Sequence, residues 1–475
     1  MGLTAEVARF VSALRFSDVP EAVVAVAEDH LVDSWGVMLA GCQEESARMA
    51  RDVLEGGDGP STLVGLPMAT TATVAALLNG LAGHALDYDD TQLSTSEGSV
   101  YGLLTHPSVP VTAALGALVG LVDVTGEEFI TAYVAGVEVA CRVADAIDRR
   151  HYQDGFHSTG TIGTIGAAAG CARLLGLDPD ATAVSLGIAA SLGSGLRENF
   201  GTMTKPLHSG RAAYNGVLAS QLARRGFTAS PDILEARRGF FRAAGGGFDA
   251  EKIEGRLGKP FFLEDPGVSI KPYPSGSLSH PAQDLILAMV QEHDIRPQQV
   301  RRIVVGTNSN VLNALIYHRP KTGLEGKFSL EYCMATGVVR RHAGLGDFTD
   351  SAVLDPLIQA FIPKVEVVVD AELEAQGFRH VRTRVTVEAD DGASSSRLSE
   401  WARGYPQNPL SRAELDRKFL DCAAQSLTAG EAASALDAAR RVAGATSVGD
   451  LLSALRPTPA ASPRPQALTS SAGAS

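Results

Sequence analysis

The sequence has few cysteines and a deficit of positive charge, and each shortage excludes a class of protein. Its five cysteines are odd in number, far apart and without a Cys-x-x-Cys spacing: Cys42, Cys141, Cys171, Cys333 and Cys422. This pattern argues against a disulfide framework and a thiolate zinc site, so a reducing, cytoplasmic location is expected. A net charge of −13 argues against non-specific nucleic-acid binding, which needs a basic face. An anionic substrate would therefore need a local cationic pocket.

Long apolar runs are also missing. The longest, residues 109–122, is shorter than the ~18 residues that a bilayer span needs, and it is better explained as a buried helix. The first ten residues contain Glu6 and Arg9 and lack the apolar core of a signal peptide. We therefore expect no membrane partner.

Helical periodicity dominates the first half of the chain. Apolar residues recur at three- and four-residue spacing, which predicts helices at 4–14, 20–40, 70–86, 109–122, 125–147, 159–175 and 179–192. The small residues at 163–170 predict a buried seam between helices. They lack the spacing of a dinucleotide-binding loop and follow no strand.

The pattern changes near Gly267. Beyond it, strands are predicted at 300–307, 364–370 and 382–390, with helical patterns between them at 281–293, 329–342 and 352–361. From Asn408 the pattern is helical again. The sequence thus predicts a mainly α fold, with a smaller α+β domain (267–403) inserted between helical segments 1–266 and 404–455. The Pro-, Ala- and Ser-rich tail, 456–475, is expected to be disordered.

An acidic cluster ends the helix predicted at 70–86. Asp87, Asp89 and Asp90 are flanked by His84 and followed by His106. Like charges this close should raise at least one carboxyl pKa unless cations or hydrogen bonds compensate. Carboxylates are also unfavourable at a helix C-terminus, which indicates a site more than a cap. Metal binding, acid–base chemistry and helix capping all remain open on the residues alone.

Three further segments concentrate polar side chains. His157 stands at the start of the glycine-rich helix, where the dipole favours the neutral imidazole, although a packed core histidine is an equal alternative. Residues 196–211 carry Lys205, His208 and Arg211 in a loop expected to open a helix, where Pro206 should hold Lys205 in an extended backbone. Residues 269–281 repeat the Lys-Pro pair at the predicted domain boundary, where a substrate cleft or a rigid hinge is expected.

A metal site is the rival explanation of the acidic cluster. Asp89-Asp90-Thr91 is similar to aspartate-rich motifs that hold magnesium and a diphosphate, but Gln92 and Leu93 follow where a further acid is expected. No second acidic motif accompanies it, and no other His/Asp pair has a clear ligand spacing. Metal-free acid–base chemistry is the favoured interpretation.

Together these segments resemble the MmgE/PrpD family over about residues 4 to 440. The motifs that carry the resemblance are residues 79–91, His106-Pro107-Ser108, Gly155-Phe156-His157, residues 204–208, Lys271-Pro272-Tyr273-Pro274, Tyr317-His318-Arg319-Pro320, residues 326–330 and residues 404–411. The resemblance implies a helical domain made from both chain ends, a smaller α+β lid domain and a homodimer. Two segments depart from the family's pattern: the long excursion 92–104 should reshape the pocket wall, and 273–277 is a small-residue version of a variable segment.

The resemblance also implies roles for individual residues. The catalytic candidates are Asp87, His106 and His157, and the substrate-binding candidates are Thr91, Lys205, Lys271, Tyr317, His208 and Ser275. The lysines would hold substrate carboxylates, while the histidines and Asp87 would move protons.

The implied activity is a lyase, without metal or organic cofactor, that acts on a citrate-like di- or tricarboxylate. A 2-methylcitrate dehydratase-like reaction is favoured, with cis-aconitate decarboxylase-like or iminodisuccinate epimerase-like activity as alternatives within the family. An inactive helical interaction protein of the same fold is the alternative from another class.

Overall fold

Helices form most of the structure, as the sequence predicts. The computed structural model describes residues 2–54, 57–92, 104–377 and 381–458. Up to residue 266 the helices are α1 (Leu3–Ala13), α2 (Glu21–Gly41), α3 (Glu45–Val53), α4 (Ala72–Ala85), α5 (Ser108–Val119), α6 (Gly126–Ala146), α7 (Arg150–Gln153), α8 (Ser158–Leu174), α9 (Pro179–Leu192), α10 (Thr204–Arg224) and α11 (Phe240–Gly245). A two-residue hairpin, β1 (Ser61–Thr62) and β2 (Ala69–Thr70), precedes α4. All seven helices predicted in this half are confirmed, with ends that differ by at most three residues.

The second half adds a small mixed sheet with short helices. Its elements are α12 (His280–Glu292), β3 (Val300–Thr307), α13 (Ser309–Ala314), α14 (Gly323–Gly326), α15 (Leu330–Val339), α16 (Asp350–Val353), α17 (Pro356–Phe361), β4 (Val365–Val369), α18 (Ala371–Ala375), β5 (Arg384–Ala389) and β6 (Ser394–Leu398). The helices α19 (Arg412–Ala423), α20 (Ala429–Ala439) and α21 (Val448–Ala454) complete the described chain.

The sheet has the order β4-β3-β5-β6. Strand β3 pairs in parallel with β4 and antiparallel with β5, and β5 pairs antiparallel with β6. Alternate residues such as Ile303, Val305, Val385 and Val387 are buried, so one face joins the apolar core that also contains α12 and α15. The three predicted strands are confirmed, whereas β6, rich in serine and half exposed, was not predicted.

Small residues bring the central helices close together. A Cβ built on Gly166 of α8 would lie 2.7 Å from Ala140 Cβ of α6, so only glycine permits this approach. The helix–helix seam expected from residues 163–170 is therefore present.

Two local predictions differ from the structure. Residues 352–361 do not form one helix, because α16 ends at Val353 and Asp355 caps a new helix that begins at Pro356. Lys205 does not lie in an extended segment but in the first turn of α10. Proline is tolerated there because the N–H that it lacks has no partner within a helix's first turn.

The C-terminal helices return to the N-terminal ones. Phe419 of α19 packs against Gly36 of α2, and Lys418 pairs with Asp33 in the same contact. This packing agrees with a helical body built from both chain ends, while the boundaries 1–266, 267–403 and 404–455 stay a prediction. The excursion between Gln92 and Leu104, and most of the tail 456–475, lie outside the described residues. Among the described helices, none combines the length and the apolar character that crossing a membrane requires.

Candidate active site

The segment that follows α4 carries the acidic cluster. The helix ends at Ala85, and Asp87 adopts a left-handed backbone with a φ of 52°. Its amide donates to His84 O at 3.3 Å, which closes the helix end. Farther along, Thr91 and Ser269 exchange backbone hydrogen bonds of 2.8 and 2.9 Å. The cluster is therefore held at both ends.

The three carboxylates face three different sets of partners. Asp87 pairs with the Nζ atoms of Lys205 and Lys271, the latter at 3.0 Å. Asp89 accepts from His84 Nδ1 at 2.8 Å and lies 3.2 Å from His106 Nδ1. The carboxylate of the third member, Asp90, is bonded by the side chains of His30 and Ser108. The predicted cluster is thus three separate buried sites.

Neighbouring side chains compensate for the burial of Asp87 and Asp89, lysines at the first and imidazoles at the second. Burial alone would raise the pKa of Asp87, but Lys205 and Lys271 outweigh it and hold that pKa well below its ordinary value. Burial would likewise raise the pKa of Asp89, and the imidazoles of His106 and His84 hold it well below the ordinary value. Both carboxylates are therefore ionised, because their partners outweigh the effect of burial.

Six predicted site residues line one narrow cavity of about 30 Å³. They are Asp87, Thr91, His106, His157, Lys205 and Lys271. The rest of the lining is mainly apolar, with Leu104, Tyr152, Phe200, Gly276, Ser277, Leu278, Ala314, Leu315 and Phe328. Sites for small ligands typically measure ~300–1,000 Å³. A citrate-sized acid therefore needs the walls to move apart.

The remaining three predicted residues lie outside that lining. His208 stands behind His157, with the two Nδ1 atoms 2.9 Å apart. Tyr317 donates its hydroxyl to Phe200 O at 3.0 Å. Ser275 is fully buried and bonds Ser279 and Gln283, while Ser277 reaches the cavity instead. Direct substrate contact by these three stays a prediction, and their present partners fit a supporting position better.

Three histidines at the site, His84, His157 and His208, are neutral. Burial, followed by the nearby Lys205, lowers the pKa of His157 far below its ordinary value. Burial also lowers the pKa of His84 to about 3, although Asp89 opposes it, and lowers the pKa of His208 to about 4. In the described structure, His157 Nε2 has no hydrogen-bond partner. A neutral imidazole with one free nitrogen can give or take one proton.

Some residues at or next to the cavity were not selected as site residues from the sequence. His84 lies outside the cavity lining, but it stacks on His157 with ring centroids 5.6 Å apart and donates to Asp89. Phe200 and Phe328 flank Lys205, whose Nζ lies 5.7 and 5.6 Å from their ring centroids. His84 was visible in the helical pattern, since it precedes Asp87 by one helical turn, whereas aromatic residues so far apart in sequence gave no local signal.

One group of described residues has the composition of a metal site. Ligand atoms of His84, Asp89 and His106 lie within 4.8 Å of one another. Both histidines direct Nδ1 at the same carboxylate, so the three groups already satisfy one another in part. The absence of a metal requirement stays a prediction.

Comparisons with known proteins cover nearly the whole chain. The MmgE/PrpD N-terminal domain matches residues 5–253, and the MmgE/PrpD C-terminal domain matches residues 273–443. A cis-aconitate decarboxylase of Homo sapiens is 25% identical over 441 residues, which cover 90% of this chain and 89% of that protein. A cis-aconitate decarboxylase of Aspergillus terreus is 26% identical over 441 residues, with 88% of each chain covered. A cis-aconitate decarboxylase-like protein of Aspergillus oryzae is 26% identical over 444 residues, which cover 88% of this chain and 89% of that protein.

Proposed function

The chain belongs to the MmgE/PrpD family, and on that premise we propose that it is a lyase of citrate-like di- or tricarboxylates that needs no metal or organic cofactor. One observation carries the proposal. Lys205 and Lys271 line one cavity and converge on the carboxylate of Asp87. A cavity that already holds one ionised carboxylate between two ammonium groups suits a second carboxylate from a substrate.

Decarboxylation of a cis-aconitate-like acid is the first candidate reaction, because the matched relatives carry that name. In this step the bond between carbon and one carboxylate breaks and carbon dioxide leaves. The electron pair stays on the substrate, delocalised toward a remaining carboxylate that the lysines hold. An imidazole N–H then delivers a proton to carbon, and His157, which lines the cavity and whose Nε2 has no hydrogen-bond partner in the described structure, is the candidate donor.

Dehydration is the second candidate, and the presence of two separate imidazoles at the cavity favours it. His106 and His157 both line the cavity, so one could take a C–H proton while the other protonates the leaving hydroxyl. Elimination of water also builds charge beside a carboxylate, which the same lysines would stabilise. The 2-methylcitrate dehydratase-like activity expected from the sequence is this reaction.

The test is a mass-spectrometric screen of purified protein against cis-aconitate, citrate, 2-methylcitrate and iminodisuccinate. Loss of carbon dioxide and loss of water change the mass of the acid by different amounts, whereas epimerisation leaves it unchanged and is detected by chiral chromatography ahead of the mass spectrometer. Lys205→Met serves as the matched control, since a contaminating enzyme would remain active in that preparation. No turnover of any of these acids, or preference for a neutral ester of one of them, would contradict the proposed function.

Assembly and location are separate proposals. We expect a homodimer in solution, as the family resemblance implies, and multi-angle light scattering of the purified protein measures it. A cytoplasmic location accords with the five cysteines, all of which are free and buried.

A further inference from the structure

Three buried lysines donate to three consecutive backbone carbonyls at the end of α4. The pairs are Lys327 Nζ with Leu86 O at 2.9 Å, Lys271 Nζ with Asp87 O at 2.9 Å, and Lys418 Nζ with Tyr88 O at 2.8 Å. The lysines come from three distant parts of the chain and are 2 to 6% exposed. We call Lys271, Lys327 and Lys418 the lysine clasp.

The clasp lysines supply hydrogen-bond donors and positive charge to backbone carbonyls that follow α4. The clasp carbonyls, those of residues 86–88, directly follow the last residue of α4, where the negative end of the helix dipole favours cations. Many helices end with a glycine in the left-handed conformation, and backbone hydrogen bonds formed there satisfy the last carbonyls of the helix. Here the left-handed position is occupied by Asp87, which a glycine could not replace without losing the cavity carboxylate.

Each clasp lysine also makes a second contact that fixes its place. Lys271 reaches the Asp87 carboxylate at 3.0 Å, and Lys327 donates to Pro274 O at 3.2 Å. Lys418 pairs with Asp33 and lies 3.9 Å from the centroid of the Tyr88 ring. Burial of an ammonium group is costly unless other groups compensate for the water that it loses. Each clasp lysine therefore has at least one further contact besides its bond to a carbonyl of residues 86–88.

We propose that Lys327 and Lys418 are positioning residues, which with Lys271 hold residues 86–88 so that the Asp87 carboxylate faces Lys205 in the cavity. Lys271 and Lys327 belong to the segment that the sequence assigns to the smaller domain. The clasp is therefore complete only when that segment is seated against α4, and seating it sets the backbone of Asp87. This inference rests on the proposed function for its activity measurement, but its structural part does not.

The positive charge of Lys327 is maintained at neutral pH. Burial lowers the pKa of Lys327 to about 8, against the attraction of Glu44 and Asp87. The group therefore still carries its proton at neutral pH, and the bond to Leu86 O is charge-assisted.

The experiment compares Lys327→Met, Lys327→Arg and Lys418→Met with Lys364→Met. Lys364 is a matched control, because its Nζ also donates to a backbone carbonyl, that of Val300, far from the cavity. Hydrogen exchange followed by mass spectrometry reports on peptides that contain the amides of Asp87, Thr91 and Gln92, all of which are bonded. Steady-state kinetics on the substrate from the screen reports on catalysis.

We expect Lys327→Met to speed exchange in these peptides and to lower kcat by about 10- to 100-fold, since small displacements of a reacting group have effects of that size. Lys327→Arg keeps a charged donor and should recover part of both. Lys418→Met should speed exchange in the same peptides, and Lys364→Met should change neither measurement. If Lys327→Met does not fold, Lys327→Arg and Lys418→Met carry the test.

If Lys327→Met and Lys418→Met both leave hydrogen exchange and kcat unchanged, the clasp is overturned. Equal losses in Lys327→Met and Lys364→Met would also overturn it, because the effect would then be general destabilisation. An inactive wild-type protein whose Lys327→Met variant still shows faster exchange would contradict the proposed function and leave the clasp standing.

Discussion

The Nδ1 atoms of His157 and His208 lie 2.9 Å apart, so the two imidazoles share one hydrogen between them. Both pKa values are lowered by burial, so both rings are neutral. When His208 is the donor, His157 carries its own proton on Nε2, at the cavity. When His157 is the donor, its Nε2 is a free base. The partner thus decides whether His157 can act as an acid or as a base.

Replacement of His208 tests this link. His208→Phe removes the partner atom and should lower kcat by about tenfold or more, because the proton of His157 is no longer directed. His208→Asn retains a donor and an acceptor and should recover much of the loss. The pH profile of kcat should shift in the Phe variant alone. Equal kinetics in both variants would show that His208 only fills space.

The cavity histidines should separate activity from stability. We expect His157→Ala and His106→Ala to lose about 10²-fold or more in turnover, the usual size of a general acid–base contribution, while melting temperatures stay close to wild type.

His151→Ala is the matched comparison, because this buried histidine bonds Ala244 O and Thr161 away from the cavity lining. It should lower the melting temperature yet keep normal activity per folded molecule. The reverse pattern, unstable His157 and His106 variants of normal specific activity, would make these two histidines core residues.

Stability should fall as the pH drops below about 6.5, the ordinary histidine value. Burial lowers the pKa of His84 and His280 to about 3 and that of His151 to about 4. Between these values and 6.5, the unfolded chain binds protons that the folded protein does not, so the free energy of unfolding rises with pH. Each such histidine contributes about 1.4 kcal/mol per pH unit.

Urea unfolding at several pH values between about 5 and 7 measures this slope. Asp87 adds little to it, because its pKa is lowered and its stabilising effect is lost only at lower pH. His280→Gln keeps a donor for Ser275 O and should reduce the slope by one group's share. A slope of zero or of opposite sign would contradict the neutral burial of these histidines.

The sequence predicted the helices well because their apolar periodicity extends over several turns. It failed at Lys205, where the residue before a proline was expected to be extended. The first helical turn tolerates proline, and packing of α10 decides the outcome. The sequence analysis also predicted one continuous helix over residues 352–361, because the segment is apolar throughout. The side chain of Asp355 instead caps a new helix that begins at Pro356.

The candidate site was predictable as a set of residues but not as a geometry. Local signals gave Asp87 and Lys205, yet nothing in the sequence indicates that Asp89 and Asp90 turn away from the cavity toward His84 and His30. That separation arises from the left-handed backbone at Asp87 and from contacts between residues far apart in the chain. The lysine clasp could not be predicted from the sequence either, since its lysines are distant in sequence from the carbonyls that they bind.

Turnover should survive the removal of metal ions. Asp89 already accepts from His84, and its second imidazole neighbour, His106, is needed as a proton-transfer group in the proposed reaction. We expect full activity after dialysis against EDTA and no stoichiometric metal by elemental analysis. Loss of activity that zinc, iron or magnesium restores would assign the three residues to a metal centre instead.

Lys205 and Lys271 should govern the capture of substrate. The chain carries a net charge of −13, so a multiply anionic acid is repelled at long range and must be held by a few desolvated cations. A charge-assisted hydrogen bond contributes about 1.5–3 kcal/mol, so Lys205→Met should lower kcat/KM by roughly ten- to over a hundredfold. Lys271→Met should lose at least as much, since this lysine also holds Asp87 O.

Arginine should not restore Lys205 fully, because Phe200 and Phe328 flank a compact ammonium and a planar guanidinium needs a wider space. Lys364→Met controls for the loss of a half-buried, hydrogen-bonded amine elsewhere. Kinetics on the acid identified by the screen, and on its ester lacking one negative charge, provide the measurement. If Lys205 binds a substrate carboxylate, the Met variant should discriminate less between acid and ester than wild type does. A discrimination that is unchanged in the Met variant would mean that Lys205 serves only to balance the charge of Asp87.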